Sequence, residues 1–236
     1  MSNSDDLIKE EAMMEARRLK KEVVAELCDT TVYPPDSDPV SVFMAGSPGA
    51  GKTESSQNLI SSLSRNHAIL RIDADDFRNR FSKYNGANSQ LFQAAASILA
   101  DSVQDCALRS KQSFIFDGTL SKQDIARKNI QRSLDKDRFV QIVYVYQDPI
   151  QAWKFVKIRE AKDGRHIPAD AFIQQYFQAR ENVNQLKKEF GPQLKVDLIV
   201  KDIDGTDVFY KENIDAIDSH IPERYSKENL LELIRD

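Results

Sequence analysis

Gly46-Ser47-Pro48-Gly49-Ala50-Gly51-Lys52-Thr53 fits the phosphate-binding template G-x-x-x-x-G-K-[ST] at every fixed position. The preceding Val40-Ser41-Val42-Phe43-Met44-Ala45 reads as a buried strand. The following Glu54 to Leu63 has helical spacing through Leu59, Ile60 and Leu63. Glycines let the backbone fold its N–H groups around phosphate oxygens, and the helix N-terminus adds its positive dipole end. Lys52 is placed to reach the terminal phosphates and Thr53 to hold Mg²⁺ through its hydroxyl. The stretch therefore predicts a nucleoside triphosphate site. An ordinary Gly-rich turn is the plain alternative.

Outward from this loop, composition limits the partners. Across 236 residues, 33 Lys and Arg face 37 Asp and Glu for a formal net charge of −4, and no basic block alternates with aromatics. Nucleic acid is a poor first partner on that balance. Cys28 and Cys106 make neither a disulfide framework nor a metal-site spacing, and His67, His166 and His220 are isolated. That usage fits a reducing cytosol. The first six residues lack a signal pattern, and no apolar run approaches transmembrane length. The expectation is a cytoplasmic protein with no membrane contact.

Asp5 to Cys28 reads as one long helix with Ile8, Met13, Ala16, Leu19, Val23 and Leu27 on one apolar stripe. Tyr33-Pro34-Pro35-Asp36-Ser37-Asp38-Pro39 breaks it. Residues 1–38 are thus an N-terminal helix and linker, and 39–236 a nucleotide-binding domain. Further strands are expected at Ala68–Asp73, Ser113–Asp117, Phe139–Tyr146 and Val196–Val200, and a small hairpin at Val208–Tyr210 after the Asp204-Gly205 turn. Helices are expected at Leu91–Leu108, Gln123–Leu134, Ile150–Lys162 and Ala169–Phe190. This alternation predicts an α/β fold of the P-loop NTPase type, a doubly wound, mostly parallel sheet flanked by helices.

In such sheets ligands collect beyond the carboxyl ends of the strands. The second strand ends in Asp73-Ala74-Asp75-Asp76, where Asp75 is placed to orient an acceptor hydroxyl and take its proton. Capping of the next helix is the alternative role, and more so for Asp76. The third strand ends in Phe116-Asp117-Gly118-Thr119, whose carboxylate could hold Mg²⁺ through water. Ser121-Lys122-Gln123-Asp124 faintly resembles a guanine-reading pattern but reads better as a helix start. Arg159 and Arg165, near a helix end and on the loop Asp163-Gly164-Arg165-His166-Ile167-Pro168, are candidates for stabilising a transferring phosphoryl group from a closing lid. A solvated charged face is their bland alternative.

Taken together, these motifs resemble the zeta toxin family of kinases over roughly residues 40–215. The ordered set is Ala45 to Glu54, then Ile72-Asp73-Ala74-Asp75-Asp76-Phe77, Phe116-Asp117-Gly118-Thr119, Ile158-Arg159-Glu160 and Arg165-His166-Ile167-Pro168. The resemblance implies ATP and Mg²⁺ as cofactors, with Gly46 through Glu54 around the nucleotide and Lys52 and Thr53 as the ATP and Mg²⁺ contacts. It makes Asp75 the base on a sugar hydroxyl, and Arg159 and Arg165 the phosphate-stabilising arginines. It further implies phosphorylation of the 3′-hydroxyl of UDP-N-acetylglucosamine and control by an antitoxin protein. Two departures stand out. Family members often carry Glu-Gly-Thr at Asp117-Gly118-Thr119, and a substrate-binding Glu where Asn88 to Ala94 here has no carboxylate. The acceptor therefore stays open between a nucleotide sugar and another hydroxyl-bearing metabolite, antibiotic, nucleotide or polynucleotide end. A nucleotide-switched interaction protein and a catalytically silent binding module are the readings without transfer. The N-terminal helix is expected to pack on the core rather than act as a built-in antitoxin.

Overall fold

The structure, a computed structural model, describes residues 3–63 and 68–235; Met1, Ser2, His67 and Asp236 lie outside them. Strand β1 (Val40–Ala45) leads through the glycine loop into α2 (Lys52–Leu63), the second helix after α1 (Asn3–Leu27). There follow β2 (Leu70–Asp73), α3 (Gln93–Arg109), β3 (Phe114–Asp117), α4 (Gln123–Leu134), β4 (Phe139–Tyr146), α5 (Pro149–Asp163) and α6 (Ala169–Phe190). The chain ends in β5 (Leu194–Lys201), β6 (Asp207–Lys211) and α7 (Lys227–Ile234). The six strands lie in the order β2-β3-β1-β4-β5-β6. The first five are parallel, and β6 returns antiparallel on β5.

Strand alternation explains why both faces are covered. Phe43 and Ala45 of β1 face one side with Ile72, Phe114, Ile142, Tyr144 and Leu198, against α1, α3 and α6. Val42 and Met44 face the other with Ile115, Val143 and Val145, against Leu59 and Ile60 of α2. Both sets are apolar because a parallel sheet is roofed by helices on each face. Phe43 is fully buried with its ring edge-on to Phe114 at 6.0 Å and 85°, a burial that stabilises by about 2–3 kcal/mol. A third cluster joins Ala152 and Val156 of α5, Phe172 and Tyr176 of α6, and Leu230 and Ile234 of α7.

Helix α1 packs on α3, with Ala12, Ala16 and Val23 buried in the main core. Three corrections are local. The stretch after β2 forms a 3₁₀ turn, Asp76–Arg80, rather than an α-helix. Another 3₁₀ turn, Ser89–Phe92, precedes α3, which therefore starts later than the sequence spacing suggested. The helix α7 was not foreseen, because its eight residues follow a polar stretch and bury only Leu230 and Ile234.

Chain order reverses beside β1, whose neighbours are β3 and β4. The crevice beyond the strand ends therefore opens over the glycine loop, the expected ligand position in such a sheet.

Candidate active site

That crevice is a cleft of about 540 Å³ bounded by Pro48 to Glu54, Asp73 to Asp75, Asp117 to Thr119, and Arg159, Arg165 and His166. Its floor is the glycine loop. Gly46 sits at φ +135°, and a Cβ there would lie 2.3 Å from the Val145 carbonyl oxygen of β4, so the loop can press against the sheet only with glycine. Lys52 turns inward and donates to the Ser47 carbonyl at 2.7 Å. Burial pushes its ammonium down to about 8, against the opposing pull of Asp117 and Asp75. Thr53 and Glu54 stand exposed in the first turn of α2, and Ser56 donates to Asp117 Oδ2 at 3.3 Å.

The neighbouring ends of β2 and β3 place Asp73 opposite Asp117. Two carboxylates side by side need a cation, and Arg71 supplies it. Its Nη2 contacts Asp73 and reaches Asp117 at 2.8 Å, while Nη1 reaches Asp76 at 2.8 Å. Asp73 is still pushed up to about 6, first by burial and then by Asp75 and Asp117. Its Oδ1 accepts the Asp75 N–H at 2.8 Å and so shapes the turn that presents Asp75.

Asp75 makes no side-chain cap to the 3₁₀ turn behind it. Its carboxylate instead lies between two guanidinium groups, Arg78 at 2.8 Å and Arg165 at 2.5 Å. Burial would raise its pKa, but Arg165 and Arg78 outweigh that and hold the carboxyl below its usual range. Asp76 is not a cap either; its side chain serves Arg71.

Arg165 arrives from far along the chain because Gly164 ends α5 in the left-handed region, at φ +69°, and turns the backbone back over the cleft. Arg165 is 18% exposed, whereas Arg159 on α5 is 55% exposed and lies 3.7 Å from Asp163. The structure thus brings Lys52, Asp75, Asp117 and Arg165 together and leaves Arg159 at the mouth. Glu160 beside it holds Lys157 and His166, each at 2.5 Å. Ser121 and Lys122 precede the helix α4, in keeping with a helix start there.

Sequence reasoning passed over Arg71 and Arg78. Each had a positional signal. Arg71 lies two residues before Asp73 on the same strand face, and Arg78 one turn after Asp75.

For a metal, the available donors are hard oxygens, the Thr53 hydroxyl and the Asp117 carboxylate. Among the described residues no group of three or more His, Cys, Asp or Glu is arranged to hold an ion. Hard oxygens of this kind suit a hard cation held together with nucleotide phosphates and water. No helix among the described residues is long and apolar enough to cross a membrane.

No curated protein matches the chain significantly. Among solved structures, a chain of the PezAT chromosomal toxin-antitoxin system of Streptococcus pneumoniae is 17% identical, the match covering 93% of this chain and 87% of that one at a TM-score of 0.65. The native AvrRxo1-ORF1:-ORF2 complex gives 17% identity, 92% and 70% coverage and a TM-score of 0.60. The same pair with ATP gives 19%, 85% and 64%, and 0.58. These likenesses show a shared fold. The family model described as Zeta toxin matches residues 24–215, from the last turn of α1 to just past β6, and the chain belongs to the zeta toxin family.

Proposed function

We propose that this protein is an ATP-dependent kinase that transfers the γ-phosphoryl group to a hydroxyl of a nucleotide sugar, with UDP-N-acetylglucosamine as the acceptor. The observation that carries this reading is the convergence of Lys52, Asp75 and Arg165 on one cleft at the carboxyl ends of the strands. Backbone N–H groups of Gly46 to Lys52 would cradle the phosphates, with Ser47, Pro48 and Ala50 shaping the loop and Glu54 on its rim. Lys52, freed from the Ser47 carbonyl, would neutralise the β- and γ-phosphates. Mg²⁺ bound to Thr53 and, through water, to Asp117 would add charge neutralisation at the phosphate oxygens.

Asp75 would orient the acceptor hydroxyl. As the new oxygen–phosphorus bond forms and the bond to the bridging oxygen of ADP breaks, the hydroxyl proton passes to Asp75 and ADP leaves. Arg165 already touches Asp75, so a short swing carries its charge to the phosphoryl oxygens as transition-state charge develops. Arg159 would join it from the mouth when the lid closes. The fold shared with a chain of a toxin-antitoxin system supports an antitoxin protein as a partner, and composition favours a cytoplasmic protein that binds neither membrane nor nucleic acid.

The test is incubation with ATP and Mg²⁺ plus either UDP-N-acetylglucosamine or a metabolite extract, with mass spectrometry for products that gain one phosphate. UDP-N-acetylglucosamine phosphate is the expected product. Another phosphorylated metabolite would replace the acceptor, and unconsumed ATP with every acceptor at full nucleotide occupancy would end the kinase reading.

A further inference from the structure

One wall of the cleft is built from Arg78 of the first 3₁₀ turn, Ser89 and Gln90 of the second, and Gln93 at the start of α3, and the buried arginine connects them. Arg78 is 5% exposed, and its Nη2 lies 2.8 Å from Asp75 Oδ1 and 2.7 Å from Gln93 Oε1. One nitrogen thus donates a hydrogen bond to Gln93 and pairs its charge with Asp75. A guanidinium offers only donors, so the amide atom facing it must be oxygen, and chemistry settles which way the Gln93 side chain points. Gln93 is exposed and lines the cleft beside Ser89 and Gln90. With Oε1 engaged by Arg78, the polar group of this side chain left wholly free for a ligand is the Nε2 amino group, a donor.

We propose that Arg78 is a positioning residue that fixes Gln93 with its N–H groups toward the cleft, so that the phosphate-accepting molecule places an acceptor oxygen there, from a carbonyl, carboxylate or phosphate. Selection for such an oxygen is what this wall contributes to specificity, since the turn Ser89–Phe92 and Gln93 carry no carboxylate to receive a donor. Because the same nitrogen holds Asp75, the acceptor's oxygen contact and its reacting hydroxyl are set at a fixed spacing. A guanidinium is suited to this because its donors are planar and pre-organised, unlike the point charge of a lysine.

The substrate half of this inference rests on the kinase reading, whereas the positioning half does not. The first measurement is therefore independent of turnover. The side-chain NH₂ resonances of Gln93, assigned by their loss in Gln93→Glu, are recorded in the parent and in Arg78→Met. Loss of restraint in Arg78→Met, seen as collapse to the positions of freely exposed glutamines, is expected; unchanged resonances overturn the positioning role. The second measurement uses UDP-N-acetylglucosamine as acceptor. Gln93→Leu is expected to raise its KM about tenfold, the usual scale for one lost hydrogen bond, with kcat within about threefold and ATP affinity unchanged. Arg78→Met should impair KM and kcat together, and Arg78→Lys should recover part of kcat. An unchanged KM in Gln93→Leu overturns the contact. A parent that binds ATP but leaves UDP-N-acetylglucosamine untouched overturns the proposed acceptor and this contact to it, while the resonances still decide the role of Arg78.

Discussion

At the scale of single residues, the environment of Asp75 separates it from the acidic residues beside it. Asp73 and Asp76 are both committed to Arg71, while Asp75 faces the cleft between Arg78 and Arg165. Replacing Asp75 with Asn keeps the shape and removes the proton acceptor. ATP affinity by calorimetry should then stay within a few-fold while transfer falls by roughly a hundredfold or more. If Asp76→Asn is the crippling change instead, Asp75 does not face the acceptor. The two arginines are not equal in this arrangement, although sequence reasoning treated them as a pair. Arg165→Ala should lower kcat by about a hundredfold with a much smaller effect on ATP affinity, as loss of transition-state stabilisation does. Arg159→Ala, starting from an exposed position near Asp163, should cost less than about tenfold. Equal losses in steady-state kinetics would mean that both guanidinium groups reach the phosphoryl group on lid closure.

At the scale of elements, the contact between α1 and α3 joins the N-terminal helix to the rest. The apolar stripe of α1 was readable because its spacing is local, but its docking face on α3 is a long-range outcome. Polar tethers add to it. Glu15 accepts from the Ser82 N–H at 3.2 Å, Glu26 meets Arg80 at 2.5 Å, and Glu11 meets Lys83. Exposed pairs of this kind stabilise by only about 0.2–1 kcal/mol each, so the buried apolar face decides the docking. Cys28, just past the end of α1, is buried, and its thiol lies 3.5 Å from the Val103 carbonyl of α3. Burial, with Cys106 nearby, pushes the Cys28 thiol up to about 12. Because alkylation needs the thiolate, Cys28 should resist iodoacetamide at pH 8 in the folded protein and react once denatured, as peptide mapping would show. The raised value also sets a sign for stability. The contribution is complete below the unfolded thiol's pKa near 9 and is lost as pH climbs toward 12, because the unfolded chain releases the proton first. Cys28→Ala should flatten that part of the stability profile. Rapid labelling of Cys28 at pH 8 without unfolding would show that α1 detaches readily.

At the scale of the whole molecule, nucleotide binding is a stability term, since only the folded chain assembles the glycine loop under the strand ends. ATP with Mg²⁺ at about a hundred times its Kd should stabilise the fold by about 2.7 kcal/mol. For 236 residues that corresponds to a melting midpoint raised by roughly 5–10 °C. Lys52→Ala should lose most of this increase while its ligand-free melt stays close to the parent's; an undiminished increase would place the nucleotide elsewhere. The glycine loop, β1 and α2 were legible in the sequence because their requirements are local: glycines at fixed spacing, a short apolar run before them and helical spacing after. The same holds for β4, α4 and α6, whose bounds the structure reproduces closely. Strand order was not legible, because buried apolar strands are chemically interchangeable and only crossovers and packing decide which ones become neighbours. The arginines around the carboxylates follow the same division. Ion pairing has no sequence period, so Arg165 could be named as a candidate but not joined to Asp75 until the turn at Gly164 folded it back across the cleft. The sequence by itself determined the phosphate-binding chemistry, which one continuous segment carries. Only the tertiary structure decided which charges meet around it, because those contacts join segments that the chain keeps far apart.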